Sequence, residues 1–252
     1  MKRLKDKVAF LTAAAGAGIG KATARTFARE GAKIILTDAH PKRPFSVASE
    51  IEKEFGVETL ALQCDVNSRE QIEEAISAGL ERFDHIHILF NNAGINRLSP
   101  VVDMSDEVWD LVINTCLRGT FYVCRAVLPT MIKQNFGRIV NVASVAGFMG
   151  LKDGQAHYSA AKAGMMAFTR CLSLEVANNH ITANTIAPGF IYNEFLARIY
   201  PEEEIKRMSE GIPYPRKGTP EDVANIALFL CSGEGEYVTG QTICATGGSF
   251  MR

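Results

Sequence analysis

The sequence predicts an α/β fold in which one parallel, doubly wound sheet is covered by helices on both faces. Strand-like apolar runs alternate with helix-like patterns throughout the 252 residues, and the connections between them are short. The first apolar run also leads directly into a glycine-rich turn. Repeated β-α-β order favours parallel strands, right-handed crossovers and a sheet buried on both sides. Because no linker or repeat interrupts this order, residues 1–252 are predicted to form a single domain.

Apolar periodicity and capping residues predict the individual elements. The predicted strands are Val8–Thr12, Lys33–Thr37, Thr59–Gln63, His87–Phe90, Arg138–Ala143, Thr182–Ile186 and Gln241–Ala245. The predicted helices are Ile19–Glu30, Phe45–Phe55, Ser68–Phe83, Asp106–Gln134, His157–Ala177 and Pro220–Cys231. Gly31 ends the first helix, and Ser68 opens the third with Gln71 at the capping-box spacing. Gly119 and Pro129 are expected to interrupt the long fourth helix.

The composition argues against several classes of protein. A net charge of −1 and a pI near 6.5 leave no basic footprint for nucleic acid. No apolar stretch is expected to reach membrane-spanning length, so no membrane partner is expected. The six cysteines are dispersed, with neither a CxxC pair nor a histidine cluster beside them. Reduced thiols, no metal site and a cytoplasmic location are therefore expected.

Tyr158 and Lys162 carry the strongest chemical signal in the chain. Side chains at positions i and i+4 share one face of a helix. An ammonium group beside a phenol stabilises the phenolate and is expected to lower the phenol pKa from about 10. Such a phenol can exchange a proton with an alcohol or carbonyl oxygen. Ser144, at the end of the fifth predicted strand, can donate a hydrogen bond to the same oxygen, so the group predicts a carbonyl/alcohol redox site.

The first turn predicts a site for the dinucleotide that would carry the hydride. It reads Thr-Ala-Ala-Ala-Gly-Ala-Gly-Ile-Gly between a strand and a helix, where glycines let the backbone approach a pyrophosphate at the helix N-terminus. The expected cofactor-binding residues of this turn are Thr12, Ala14, Gly16, Gly18, Ile19 and Gly20. Asp38, after the second strand, would bind a ribose diol and repel a 2′-phosphate, which predicts NAD as the cofactor. Lys42 and Arg43 would favour NADP, but Pro41 is expected to turn them towards solvent.

Further cofactor contacts are expected after the later strands. Asp65, with Val66, would reach the adenine, although Asp65 could instead cap the next helix. Asn92, Ala93 and Gly94 would let the chain pass close to the cofactor, unless they form an ordinary Asn-Gly turn. The remaining expected contacts are Pro188, Gly189, Ile191 and Asn193.

These motifs together resemble the short-chain dehydrogenase/reductase family over essentially the whole chain. In chain order the matching features are the glycine turn, Asn91-Asn92-Ala93-Gly94, Asn114, Ser144, the Tyr158/Lys162 pair, Asn184, Pro188-Gly189, Pro220-Glu221-Asp222-Val223-Ala224, Tyr237-Val238-Thr239-Gly240-Gln241 and Gly247-Gly248. The resemblance implies a Rossmann fold with strand order 3-2-1-4-5-6-7 and a homotetramer built partly on the helices around residues 106–134 and 157–177.

The resemblance also implies a catalytic tetrad of Asn114, Ser144, Tyr158 and Lys162. Tyr158 would be the general acid/base and Ser144 would orient the substrate oxygen. Lys162 would bind the nicotinamide ribose, with Tyr158 beside it, and both count among the cofactor-binding residues. Asn114, in a locally distorted helix, would hold a water that links Lys162 to solvent.

Two positions depart from the family pattern. Ala13 stands where the first glycine of the turn would fall, and the turn is one residue longer, with Gly16 extra. We expect the turn to bulge slightly and still bind the dinucleotide. Asn193 stands where many relatives have a threonine that touches the nicotinamide amide.

The substrate is the least determined part of the prediction. Segment 190–217 is expected to be a substrate-binding lid, with a pair of solvated surface helices as the alternative. The expected pocket wall is apolar and comprises Phe148, Met149, Leu151, Phe190, Ile191, Tyr192, Phe195 and Leu196. Such a wall suits a cyclic or acyl secondary alcohol or ketone. Lys152, Arg97 and Arg198 are candidate partners for an acidic or CoA group, or else solvated charges.

Three functions are weighed. The first is an NAD-dependent oxidoreductase acting on the CH–OH group of an apolar cyclic or acyl substrate, CoA-linked substrates included. The second is an NADPH-dependent 3-oxoacyl-thioester reductase, which shares the tetrad but conflicts with Asp38. The third is a dinucleotide-binding sensor without turnover, which would not need the tuned phenol. His157, next to the tyrosine, is expected to pack rather than to relay protons.

Overall fold

A computed structural model describes residues 2–152, 154–193, 196 and 200–252 of the chain. Seven parallel strands form one sheet in the order β3-β2-β1-β4-β5-β6-β7, as predicted. The strands are β1 Val8–Leu11, β2 Lys33–Asp38, β3 Thr59–Gln63, β4 Ile88–Asn91, β5 Gly137–Val142, β6 Ile181–Pro188 and β7 Thr242–Ala245. β1 lies at the centre, with Ala9 in register with Ile34 of β2 on one side and Ile88 of β4 on the other.

Helices cover both faces of the sheet. In the described residues they are α1 Ile19–Arg29, α2 Arg43–Phe55, α3 Arg69–Phe83, α4 Asp106–Ile113, α5 Gly119–Lys133, α6 Ala156–Val176, α7 Glu202–Glu210 and α8 Pro220–Cys231. α2 starts two residues earlier than predicted because Pro44 is favourable in the first helical turn. Ser68 caps α3 by accepting from Gln71 N, whereas the Gln71 side chain accepts from Asp65 N and not from Ser68.

Each face of the sheet has its own apolar core. Phe27 of α1, Ile51 of α2 and Val223 of α8 are buried on one face. Ile72 of α3 and Val127 of α5 are buried on the other, together with residues of α6. Burial on both faces explains why β4 and β5 contain no exposed residue. The loops at the carboxyl ends of the strands are the part left open for a ligand.

The long fourth helix is interrupted, as expected near Gly119 but not at Pro129. Residues Asn114–Arg118 form a π-helical segment between α4 and α5, whereas Pro129 lies inside α5. The expectation that no segment reaches membrane-spanning length is wrong for this run. By length and composition alone, Asp106–Lys133 is long and apolar enough to cross a membrane. In the fold this run packs on the sheet, where Val123 and Val127 are fully buried.

The predicted lid lies beside the carboxyl ends of β6 and β7. Tyr192 N donates to Gly218 O at 2.8 Å, and Tyr214 N donates to Gly247 O at 2.9 Å, so two backbone bonds anchor the segment. Between them lies α7, which is mostly exposed with Ile205 buried. Residues 194, 195 and 197–199, including the predicted wall residue Phe195 and the candidate cation Arg198, lie outside the described residues. Closure over a ligand stays a prediction.

Candidate active site

The glycine turn is tied to the end of β4 by one buried hydroxyl. Thr12 Oγ1 accepts from Asn92 N at 3.0 Å and from Ala93 N at 3.1 Å, and Asn92 Nδ2 donates to Ala13 O at 2.9 Å. Thr12 is almost fully buried and Ala14 is fully buried. The side chains of both residues therefore support the turn from the protein interior. A direct contact of these side chains with the cofactor stays a prediction.

The departures from the family pattern are visible in the backbone of the turn. Ala13 adopts a φ of 49°, the left-handed region that favours the glycine it replaces. A methyl group on Gly20 would overlap Ala13 O and lie 2.8 Å from Asn92 Nδ2, so the start of α1 packs directly on the turn. A methyl group on Gly16, the extra glycine, would have no atom within 4 Å.

The end of the turn has the features of a pyrophosphate site. α1 begins after Gly18 without any capping side chain, so the N–H groups of its first turn have no side-chain acceptor. Ile19 opens this helix. Asn193 lies opposite, because its Nδ2 is 3.9 Å from where a Gly18 Cβ would be. Asn193 Nδ2 donates to Ile191 O, and its Oδ1 accepts from Leu196 N.

Asp38 faces the turn from the end of β2. Its Oδ2 accepts from Ala15 N at 3.1 Å and its Oδ1 accepts from His40 N at 2.9 Å. A carboxylate has about four acceptor positions, so two are left for a ribose diol. Lys42 and Arg43 are exposed, as expected, and their backbone N–H groups donate to His40 Nδ1.

The remaining predicted cofactor residues lie at the same edge of the sheet. Asp65 does not cap α3, because Ser68 does; its Oδ1 accepts from Asn67 N and Nδ2 at 2.9 Å. Val66 is buried under Gly119. Pro188 ends β6, and Gly189 N donates to Ala245 O at 2.9 Å. Ile191 is buried and pairs with Gly218.

Tyr158, Ser144 and Lys162 come together as predicted. The Ser144 hydroxyl lies beside the Tyr158 phenol and acts to lower its pKa. Lys162 Nζ lies 5.6 Å from the centroid of the Tyr158 ring and donates to Val142 O at 2.7 Å. Gly94 passes beside this amine, since a Cβ there would be 3.4 Å from Nζ. The tyrosine, the lysine and the cofactor edge therefore form one continuous site.

The pKa of Tyr158 differs from the prediction. Burial raises this pKa above its usual range, the Cys116 thiol adds to the rise, and the Ser144 hydroxyl opposes it. Burial also lowers the pKa of Lys162, with Cys116 acting in the opposite direction. The expected lowering by Lys162 is thus wrong for the protein alone, because both groups are desolvated and the amine is bonded to a backbone carbonyl.

Asn114 lies at the start of the π segment, where the predicted helix distortion is confirmed. Its backbone O accepts from Gly119 N, the i+5 bond of a π turn. Its side-chain Oδ1 is buried and has no hydrogen-bond partner among the described residues. A buried acceptor of this kind fits a bound water. The link from that water to Lys162 stays a prediction.

Sequence reasoning missed one side chain of the site. Cys116, assigned to the inert buried thiols, lies inside the catalytic cluster: its Sγ accepts from Ile95 N at 3.4 Å and donates to Ile95 O at 3.3 Å. The available signal was its position two residues after Asn114. Among the predicted wall residues, Phe148 stacks on Phe250 with ring centroids 5.3 Å apart, and Arg252 lies over the same ring.

The other wall residues and candidate cations differ in exposure. Met149, Leu151 and Tyr192 are exposed, and Lys217 lies 4.6 Å over the Tyr192 ring. Lys152 and Arg97 are exposed charges. His157 is fully buried, which agrees with a packing role.

The residues present fit a nicotinamide dinucleotide. The uncapped start of α1 suits its pyrophosphate, the Asp38 carboxylate suits a ribose diol, and the passage beside Gly94 leads to Lys162. When bound, the dinucleotide supplies or accepts the hydride. Tyr158 would then exchange the proton of the substrate oxygen, Ser144 would orient that oxygen, and Lys162 would position the ribose.

Comparisons with known proteins identify the family. A family model described as enoyl-(acyl carrier protein) reductase matches residues 13–249. The chain is 43% identical to 3-oxoacyl-[acyl-carrier-protein] reductase FabG of Thermotoga maritima, over 98% of each chain. It is 41% identical to the FabG of Aquifex aeolicus, over 98% of this chain and 99% of that protein. Among solved structures, levodione reductase superposes with a TM-score of 0.91 at 33% identity, over 98% of each chain. The protein is therefore an oxidoreductase that belongs to the short-chain dehydrogenase/reductase family.

Proposed function

We propose that the protein interconverts a 3-oxoacyl thioester and its 3-hydroxyacyl counterpart, with NAD(H) as the hydride carrier. The observation that carries the chemistry is that the Tyr158 phenol, the Ser144 hydroxyl and the buried Lys162 amine lie together. This arrangement holds one ionisable proton where a carbonyl oxygen can meet both hydroxyl groups. A sensor without turnover would need none of the three side chains.

The substrate class follows the relatives. Two relatives above 40% identity are named 3-oxoacyl-[acyl-carrier-protein] reductases, and each is matched almost end to end. This narrows the cyclic or acyl substrates of the first reading, in which CoA-linked substrates were included, to a thioester. Levodione reductase, at 33% identity, keeps a free cyclic ketone as the second candidate. The apolar ring of Phe148 beside the site suits either carbon skeleton.

The cofactor choice depends on Asp38. Its carboxylate is fixed by two backbone N–H groups at the end of β2, where a 2′-phosphate would bring like charge against it. Lys42 and Arg43, the basic residues that would favour a 2′-phosphate, are exposed. Our proposal therefore shares its thioester substrate with the NADPH-dependent 3-oxoacyl-thioester reductase weighed above, but it assigns NAD(H) as the cofactor.

Steady-state rates with NADH and NADPH on acetoacetyl-CoA test this proposal. We expect kcat/KM to be at least about 100-fold higher with NADH, the size of a close charge–charge penalty. Asp38→Asn keeps the acceptor for Ala15 N and removes the charge. It should therefore reduce the NADH/NADPH ratio of kcat/KM to about 10-fold or less. Asp84→Asn is the matched control, because this exposed residue lies at the opposite end of β4. A wild-type preference for NADPH, or an Asp38→Asn ratio equal to that of Asp84→Asn, would contradict the cofactor assignment.

The proposal extends to assembly and location. Trp109, Leu111, Phe121 and Leu174 expose apolar surface on α4, α5 and α6. A homotetramer that packs these helices against copies of themselves would cover this surface.

The six free cysteines of the described residues suit a reducing, cytoplasmic location.

A further inference from the structure

Asn96, which is partly buried, and Gln155, which is buried, form an amide pair that the chemistry described above does not use. Asn96 Nδ2 donates to Gln155 Oε1 at 2.7 Å, across 59 residues of sequence. Gln155 is only 7% exposed. Two amides held together in the interior are costly to bury unless their remaining polar atoms also find partners.

The pair lies next to the catalytic tyrosine. Gln155 is the residue that precedes α6, and it lies three positions before Tyr158. Asn96 comes two residues after Gly94, which passes beside Lys162, and directly after Ile95, which packs in one cluster with Tyr158. Gln155 therefore stands at the start of the helix that carries Tyr158, and Asn96 lies in the segment that passes Lys162.

The hydrogen bonds leave specific atoms of the pair unused. Gln155 Oε1 is occupied by Asn96, and no group in the described part of the chain accepts a hydrogen bond from Gln155 Nε2. Asn96 Oδ1 is also buried without a partner among those residues. The bond from Asn96 fixes which end of the Gln155 amide is free, and that end carries only N–H donors. A fixed donor beside a redox site suits a second oxygen on the substrate.

We propose that Gln155, oriented by Asn96, donates a hydrogen bond to the thioester carbonyl of the substrate. This assignment rests on the proposed function and narrows its substrate class. In a 3-oxoacyl thioester, the second carbonyl lies one methylene away from the ketone that Tyr158 protonates. A simple ketone has no oxygen there, and it gives this donor no substrate partner. Gln155 is thereby a specificity-determining residue that selects β-dicarbonyl substrates.

Binding tests the assignment separately from turnover. In the Tyr158→Phe background, the affinity of acetoacetyl-N-acetylcysteamine for the NADH complex is measured from NADH fluorescence. This probe carries both carbonyls without CoA or a carrier protein. Gln155→Glu keeps the acceptor for Asn96 and replaces the donors with an acceptor, so we expect affinity to fall about 10-fold or more. Gln241→Glu makes the same change on an exposed residue at the far end of β7 and should leave affinity unchanged.

Turnover by the protein with Tyr158 intact supplies the second readout. We expect Gln155→Glu to lower kcat/KM for the thioester probe about 10- to 100-fold and to change kcat/KM for 2-octanone less than about threefold. Asn96→Ala, which frees the amide to rotate, should show the same selectivity with a smaller loss. Equal losses on both substrates, or unchanged binding in Gln155→Glu, would overturn the assignment. Absent turnover of either substrate by the wild type, with binding still sensitive to Gln155→Glu, would instead overturn the proposed function alone.

Discussion

In the proposed reaction Tyr158 supplies the proton, and its burial decides when that proton is available. Because burial raises the pKa of the phenol, Tyr158 is protonated at neutral pH and ready to donate during carbonyl reduction. Tyr158→Phe should lower kcat by about 10²- to 10⁴-fold and leave NADH affinity within about threefold. Stopped-flow turnover and fluorescence titration with NADH check the two parts separately.

The matched control for this change is Tyr237→Phe, because the Tyr237 side chain is fully exposed and remote from the site. It should retain wild-type kcat. Normal turnover in Tyr158→Phe would show that another group handles the proton.

His87 links single-residue chemistry to stability. Its Nδ1 accepts from Val8 N at 3.1 Å, and burial, with Lys7 and His85 nearby, lowers its pKa from 6.5 to about 4. The unfolded chain therefore binds more protons between these values, so stabilisation is complete above pH 6.5 and is lost as pH falls towards 4. We expect a loss of about 1–2 kcal/mol in the free energy of unfolding, after discounting for the partial exposure of the ring.

Urea unfolding at pH 7.5 and pH 4.5 measures this difference. In His87→Gln the decline with pH should be smaller by that amount, because the variant has no group to protonate at this position. His85→Gln, at the exposed neighbour, should keep most of the wild-type decline, because His85 contributes least to the lowered pKa of His87. Equal declines in the wild type and His87→Gln would mean that protonation of His87 does not couple to folding.

At the scale of elements, the glycine turn shows that only some of its glycines are required by packing. A side chain at Gly20 would collide with Ala13 O, whereas one at Gly16 would meet open space. Gly20→Ala should therefore lower the free energy of unfolding by about 1–3 kcal/mol and weaken NADH binding, since α1 must move off the turn. Gly16→Ala should change stability by less than about 0.5 kcal/mol.

Parallel thermal and urea unfolding of the two variants is the measurement. Each serves as the control for the other, because both make the same glycine-to-alanine change four residues apart. Equal losses in stability would indicate that backbone conformation, and not contact with Ala13, determines the cost.

At the scale of the whole molecule, the exposed apolar faces of α4–α6 test the assembly. Phe121 is 38% exposed and packs edge-on against Phe168, with Arg125 over its ring. If these faces join subunits, light scattering of the wild type should give the mass of four 27.5 kDa chains. Phe121→Glu should reduce that mass to half or less, because a buried unpaired carboxylate is costly.

The matched control is Phe45→Glu, which alters a more exposed phenylalanine on α2, away from these helices. It should remain a tetramer. A wild-type protein that is monomeric at micromolar concentration would rule out the proposed assembly.

The parts of the fold and of the site that could be predicted from the sequence are those that depend on local interactions. The strands, the glycine turn and the Tyr158/Lys162 pair were predictable, because apolar periodicity and short motifs act over a few residues. The order of the strands in the sheet was expected only from the family resemblance. The break near Gly119 was predicted, but the π turn that makes it spans Asn114–Arg118, and Pro129 proved compatible with α5.

The sequence by itself determined which residues reach the carboxyl edge of the sheet, because each follows a strand whose direction the β-α-β order fixes. Tertiary structure alone decided how those residues are tuned. The raised pKa of Tyr158 and the short Asn96–Gln155 bond both arise from desolvation and from contacts between distant segments. Such effects depend on which atoms exclude water from one another, and no local pattern of residue types records that.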